Sequence, residues 1–78
     1  MGNNEVRIPK QKRSIEKKEA IIRASYTLFC ERGYYKTNTA EIAKMAGVST
    51  GIVYSYFQDK KDILIEVVRL YISRYMLF

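Results

Sequence analysis

The side chains that could carry out chemistry are few. The chain has no histidine, one cysteine (Cys30) and scattered carboxylates. No pair of residues at useful spacing couples a nucleophile to a base, and no cluster has metal-ligand spacing. Catalysis and a bound cofactor are therefore not expected. What remains is recognition by hydrogen bonding. Thr39, Ser49, Thr50, Tyr54, Ser55 and Tyr56 bring hydroxyl groups, and Lys44 and Lys60 bring charge, into a stretch of 22 residues.

Charge says what such groups could recognise. The net charge is +6 and the pI about 9.6, a balance that favours polyanions. The excess is uneven. Residues 1–18 hold Arg7, Lys10, Lys12, Arg13, Lys17 and Lys18 against Glu5 and Glu16. Within 49–58 there is no lysine or arginine, so a bidentate arginine–guanine contact cannot come from that segment. Positive charge has to come from Lys36, Lys44, Lys60, Lys61 and the N-terminal arm.

The elements that must position these groups are legible in the spacing. Residues 1–13 are polar and basic, contain the single proline, Pro9, and read as a flexible arm. Ser14 is placed to cap a first helix running to about Arg32. Ile21, Ala24, Ser25, Leu28 and Phe29 make its inner face, and Ile22 and Cys30 widen it. Gly33 supplies a left-handed stop, with Arg32 at the negative end of the helix dipole. Asn38 with Glu41 is a capping pair, so a short second helix starts near Thr39 and ends at Gly47. Ser49 caps a third helix to about Phe57. Asp59 and Asp62 open a fourth, with Ile63, Leu64, Val67, Val68, Tyr71 and Tyr75 as its apolar face. The fold expected is all-α: a three-helix bundle over 14–58 and a fourth, linking helix over 59–78. That helix shows no stop signal before Phe78, as expected if it leads on into a larger domain.

The segment Thr39–Phe57 has the joint spacing of a helix-turn-helix. Two short helices that cross closely need a small residue at the crossing, a left-handed turn residue and apolar flanks. Ala43, Gly47, and Ile42, Ala46, Val48, Val53 and Phe57 meet these needs. A generic three-helix bundle with a glycine turn would share them, but would not call for the basic charge. If Val53 and Phe57 face the core, then Thr50, Gly51, Tyr54 and Ser55 lie on or near the opposite side, with Ser49 at the tip. In a major groove Thr50 could hydrogen-bond a base edge, and Gly51 would let the backbone approach closely. Tyr54 could reach phosphate or base, or pack in the core. Tyr56, between the two faces, could pack or reach phosphate.

These residues resemble the TetR-family signature over roughly 15–68. The matching pieces are Leu28-Phe29, Gly33-Tyr34, Thr37 to Thr39, Ile42-Ala43, Ala46-Gly47-Val48-Ser49, Gly51, Tyr54, Phe57, Lys60 and Leu64. The resemblance implies that helices one to three bind double-stranded operator DNA. It places Thr39, Ala40 and the start of helix two at phosphate and sometimes at a base. It puts Thr50, Gly51 and Tyr54 on the recognition helix, and Lys60 at phosphate. Tyr56 stands where the family often has histidine or tyrosine near the backbone. It further implies a homodimer formed through a C-terminal domain, a small-molecule effector and, in most members, repression.

Rival readings fit less of the pattern. In a membrane-surface peptide the basic and apolar faces share one element; here they lie on different ones. A protein-interaction module through the end of helix four would leave the turn spacing unexplained. The lone cysteine and the lack of an apolar N-terminal run fit a cytoplasmic protein with no membrane partner.

Overall fold

In a computed structural model, residues 10–76 are described, with side chains from 12 to 74. Four helices follow one another: α1 (Lys10–Arg32), α2 (Thr39–Ala46), α3 (Thr50–Tyr56) and α4 (Lys60–Met76). α1 packs on α2 and α4, and α3 leans on α2 and α1. Ile21, Ile42, Val53 and Ile63, one from each helix, are fully buried in a single apolar cluster. Ile22, Ala24, Leu28, Ala43, Phe57 and Val67 complete the buried set. Ala46, Val48, Phe29 and Tyr56 pack on it from outside.

The caps are where local sequence places them. Asn38 Oδ1 accepts from Glu41 N at 2.8 Å, and Glu41 Oε1 accepts from Asn38 N at 3.4 Å. Ser49 Oγ accepts from Ile52 N at 3.1 Å. Asp59 Oδ1 accepts from Asp62 N at 2.9 Å, and Asp62 Oδ2 from Gln58 N at 3.1 Å. Each satisfies a backbone donor that a helix start leaves unpaired. Gly33 and Gly47 close α1 and α2 with φ of 89° and 77°. Beyond Gly47 the Val48 N–H returns to Ala43 O at 3.0 Å, so the turn is tight.

Three expectations change. α1 begins at Lys10, not at Ser14, so Ser14 is not its N-cap. Lys10, Gln11, Lys12 and Arg13 are all good helix formers and extend it by a turn. Ser14 instead shares a 2.8 Å hydrogen bond with the Tyr56 phenol on α3. Residues 10–13 of the expected arm are therefore helical; residues 1–9 lie outside the described part. Second, Cys30 does not widen the inner face of α1 but is exposed. Leu28 and Phe29 already cover the end of the core, and α1 has turned Cys30 away from it. Third, the apolar face of α4 is buried only at its start. Ile63 and Val67 are inside, whereas Val68 and Tyr71 are 46% and 51% exposed. No helix of the described residues is long and apolar enough to cross a membrane.

The turn sets a stability prediction. A Cβ on Gly47 would meet nothing within 4 Å, so any penalty there comes from its positive φ and not from a clash. Gly47→Val should cost about 1–3 kcal/mol. Ala43, 3% exposed under the α2–α3 crossing, has no room to grow, and Ala43→Leu should cost about 1–3 kcal/mol. Thermal melts check both, and unchanged midpoints would contradict this account of the turn.

Candidate nucleic-acid interface

α3 has seven residues, too few to hold a helix alone, and is fixed by what it buries. Val53 is fully buried and Phe57, its C-cap, is 3% exposed. That orientation turns Ser49, Thr50, Gly51, Tyr54 and Ser55 outward, all exposed. Ala40 and Lys44, one helical turn apart on α2, are exposed as well. Thr39 is half-buried at the start of α2.

Within this face the side chains differ in what they have left to offer. Thr50 has no hydrogen-bond partner among the described residues, so its hydroxyl is free. Ser55 donates to Ile52 O at 2.6 Å, so its proton is used inside α3. Gly51 needs neither a left-handed backbone nor space. A Cβ there would meet only Ser49 Oγ, at 3.7 Å. What glycine supplies at this position is clearance on the outer surface. Tyr54 is 52% exposed, which removes the core-packing alternative. Its phenol and the Thr39 hydroxyl share a 2.7 Å hydrogen bond, which ties the outer face of α3 to the first residue of α2.

Tyr56 and Lys60 stand apart from this group. Tyr56 is half-buried against the core, with its phenol on Ser14. Lys18 Nζ lies 5.9 Å from the centre of the neighbouring Phe57 ring. Lys60, the first residue of α4, donates to Tyr34 O at 2.7 Å and Thr37 O at 2.9 Å. Its Nζ also sits 4.4 Å above the Tyr34 ring. The lysine thus holds the α1–α2 turn, using two of its three donors. No local pattern signals this role, because the acceptors are backbone oxygens 23 and 26 residues away.

Thr37 also escaped sequence reasoning as a structural residue. It is 1% exposed, and its hydroxyl donates to Gly33 O at 2.9 Å with Leu28 O at 3.3 Å. These carbonyls lie in the last turn of α1 and just beyond it, so the buried hydroxyl ties the linker back to the end of α1. Arg32 pairs with Glu41, joining the end of α1 to the capping box of α2. Thr37, Arg32 and Lys60 together set where α2 starts, and so where Thr39 and Ala40 sit.

A short helix on two apolar anchors, crossing another over a left-handed glycine, with an uncharged polar face outward, defines a helix-turn-helix domain. Residues 21–67 match the family model described as bacterial regulatory proteins, tetR family. The HTH-type transcriptional regulator HbdR of Aromatoleum sp. (strain CIB) is 53% identical over 49 residues, which make up 63% of this chain and 21% of that protein. The fatty acid metabolism regulator protein of Bacillus subtilis (strain 168) is 45% identical over 58 residues, 74% of this chain and 29% of that protein. Among solved structures, the fatty acid degradation regulator FadR from Bacillus halodurans aligns with a TM-score of 0.72 and 37% identity, over 77% of this chain and 32% of that one. The chain belongs to the TetR family of bacterial regulatory proteins, and the matched segment is the DNA-binding domain of a transcriptional regulator. It spans between 21% and 32% of the length of these relatives.

The pinned turn gives a second prediction. Thr37→Val keeps the shape but removes the buried donor, and should cost about 1–3 kcal/mol. Lys60→Met keeps most of the stem but strips two carbonyls of a charged donor, and should cost about 1.5–3 kcal/mol. Urea unfolding reads both. A midpoint within error of the parent for either variant would show that its bonds are replaced by water at no cost.

Proposed function

We propose that this chain reads operator DNA with α3 in the major groove, as the DNA-binding end of a homodimeric, ligand-responsive repressor. The observation that carries the reading is the division of α3 into two sides. Val53 and Phe57 are spent on the core, while Ser49, Thr50, Gly51 and Tyr54 face outward with no charge among them. Such a face reads sequence and shape and adds little bulk attraction. A free threonine hydroxyl beside a bare glycine allows the helix tip to sit close to base edges. Thr50 can hydrogen-bond one base, and its methyl can touch a thymine methyl.

Attraction to phosphate then falls to the flanking cations. Lys44 is exposed on α2 beside Ala40, and Lys36 and Lys61 are exposed near the turn and the start of α4. Lys60 keeps one donor after its two carbonyl bonds, enough for a single phosphate contact. Ser55 and Tyr56 serve by accepting hydrogen bonds or by packing, since their own protons or rings are engaged within the protein.

One helix-turn-helix covers half a site. Two copies related by a two-fold axis would read a palindrome with half-sites about 34–36 Å apart, or a multiple of that. Dimerisation, an effector site and repression are assigned to the remainder of the whole protein. They rest on family membership and on the exposed apolar end of α4, where Val68, Leu70, Tyr71 and Ile72 lie at the surface.

The test is selection from a pool of random duplexes with the full-length protein, followed by binding across a salt series. A two-fold symmetric consensus is expected. Thr50→Ala should weaken binding to it by about 1–3 kcal/mol and relax one position per half-site. Gly51→Leu should abolish binding to any duplex while leaving the melt unchanged. Lys44→Ala should weaken selected and scrambled duplexes alike and lower the log–log salt slope by about 0.9 for each phosphate no longer neutralised. If the Thr50 and Gly51 variants bind both duplexes like the parent, α3 is not the reading head.

A further inference from the structure

The Thr39–Tyr54 bond asks for an explanation, because it does little for stability. Both hydroxyls lie where water can reach them, Tyr54 at 52% exposure and Thr39 half-buried. Water would satisfy either group if the bond were broken, so its net contribution is small. Its effect is on direction. A phenol on an exposed helix face swings about two torsions, and a hydroxyl partner at 2.7 Å on another helix stops it.

The hydrogens can be counted. Two hydroxyls bring two hydrogens, and the shared bond uses one. Whichever oxygen donates, one hydrogen is left pointing away from the pair. The hydroxyl that keeps it is also accepting a bond, which makes it a stronger donor. The pair is thus a unit with a single activated donor, held between two helices. Lys44 is exposed further along α2, and Glu41, the acid within α2, is engaged by Arg32 and the Asn38 cap. The local surroundings favour an anion that only accepts hydrogen bonds.

We propose that Thr39 is a positioning residue for Tyr54, and that their two hydroxyls act as one unit donating to a single backbone phosphate of the operator. The inference rests on α3 being the DNA-facing helix. Phosphate contacts set register and carry no sequence information. The pair would therefore fix how α3 enters the groove, and leave the choice of bases to Thr50 and its neighbours. Because Thr39 acts only through Tyr54, losing the Tyr54 hydroxyl should cost what losing both costs, and losing the Thr39 hydroxyl alone should cost only what its aim and polarisation add.

The test is a double-substitution cycle in the full-length protein, on duplexes recovered from the random pool and on scrambled controls. Tyr54→Phe should weaken binding by roughly tenfold and Thr39→Val by about threefold or more, equally on both duplexes, and the double variant by no more than about twofold beyond the Tyr54→Phe loss. Thr39→Ser, which restores the hydroxyl, should bind within about twofold of the parent. Thermal melts of all four proteins should coincide. In a scan with single neutral methylphosphonate linkages, one linkage should remove the effect of both substitutions at once. Losses that multiply in the double variant would mean two separate contacts and would overturn the proposal. So would single variants that bind like the parent, or a serine that fails to rescue. Thr50→Ala and Gly51→Leu, run alongside, keep the two ideas apart: if they are impaired while the pair is silent, only the pair is wrong. If they too are silent, the assignment of α3 fails first.

Discussion

Everything in this domain depends on the meeting of Ile21, Ile42, Val53 and Ile63 in one dry cluster. Each helix contributes one fully buried branched side chain, and these are the largest apolar groups completely removed from water. Truncating any of the three isoleucines to alanine belongs to a class of change that costs about 2–5 kcal/mol. A domain this small has little to spare. α3 depends on the cluster most. Its seven residues cannot persist as an isolated helix, and Val53 with Phe57 are its buried anchors, with Ile52 and Tyr56 packed beside them. The same two anchors decide which residues face outward. The groups that hold the fold thus lie on one side of a short helix, so its outer face can vary without loss of fold.

Around that core, polar contacts fix positions that apolar packing leaves loose. The α1–α2 turn is held from inside by the Thr37 hydroxyl and from outside by the Lys60 ammonium. The second of these comes from α4, so the helix that leaves the domain is bonded to the turn that places Thr39. At the last residue of α3, the Tyr56 phenol and Ser14 close the gap to α1. α3 is thus tied through its C-terminal half to two neighbours by hydroxyl pairs, Thr39–Tyr54 to α2 and Ser14–Tyr56 to α1. Apolar contact sets how deeply a helix sits. Directional bonds of this kind set its rotation and tilt, which determine where side chains would meet a duplex.

Past Val67, α4 changes character. Val68, Leu70 and Ile72 are between 38% and 46% exposed, and a shallow cleft between α4 and α1 is lined by Arg23, Thr27, Leu70 and Arg74. Apolar side chains spread around the helix in this way bury a second surface in a larger assembly more often than they stay in water. The core-facing residues end at Val67, and the family match ends at the same residue.

Much of this was legible from local spacing. Asn38 with Glu41, Ser49, Asp59 with Asp62, Gly33 and Gly47 each act within three or four residues of themselves, so their roles depend on their neighbours in sequence. Ala43, Gly47, Val53 and Phe57 fixed the crossing, and hence the outward set Ser49, Thr50, Gly51, Tyr54 and Ser55, because helical periodicity relates inner and outer faces rigidly. Only the tertiary structure decided the long-range polar partners. Ser14 reads as a cap from its neighbours, yet it spends its hydroxyl on Tyr56, 42 residues away. Lys60 reads as an exposed cation, yet it binds carbonyls of a turn more than 20 residues earlier. Thr37 and Cys30 have no periodic signature that separates inside from outside, and the packing buried one and exposed the other. Apolar periodicity repeats along a chain and can be read from it. A hydrogen bond between distant residues has no repeat, and exists only once the helices have docked.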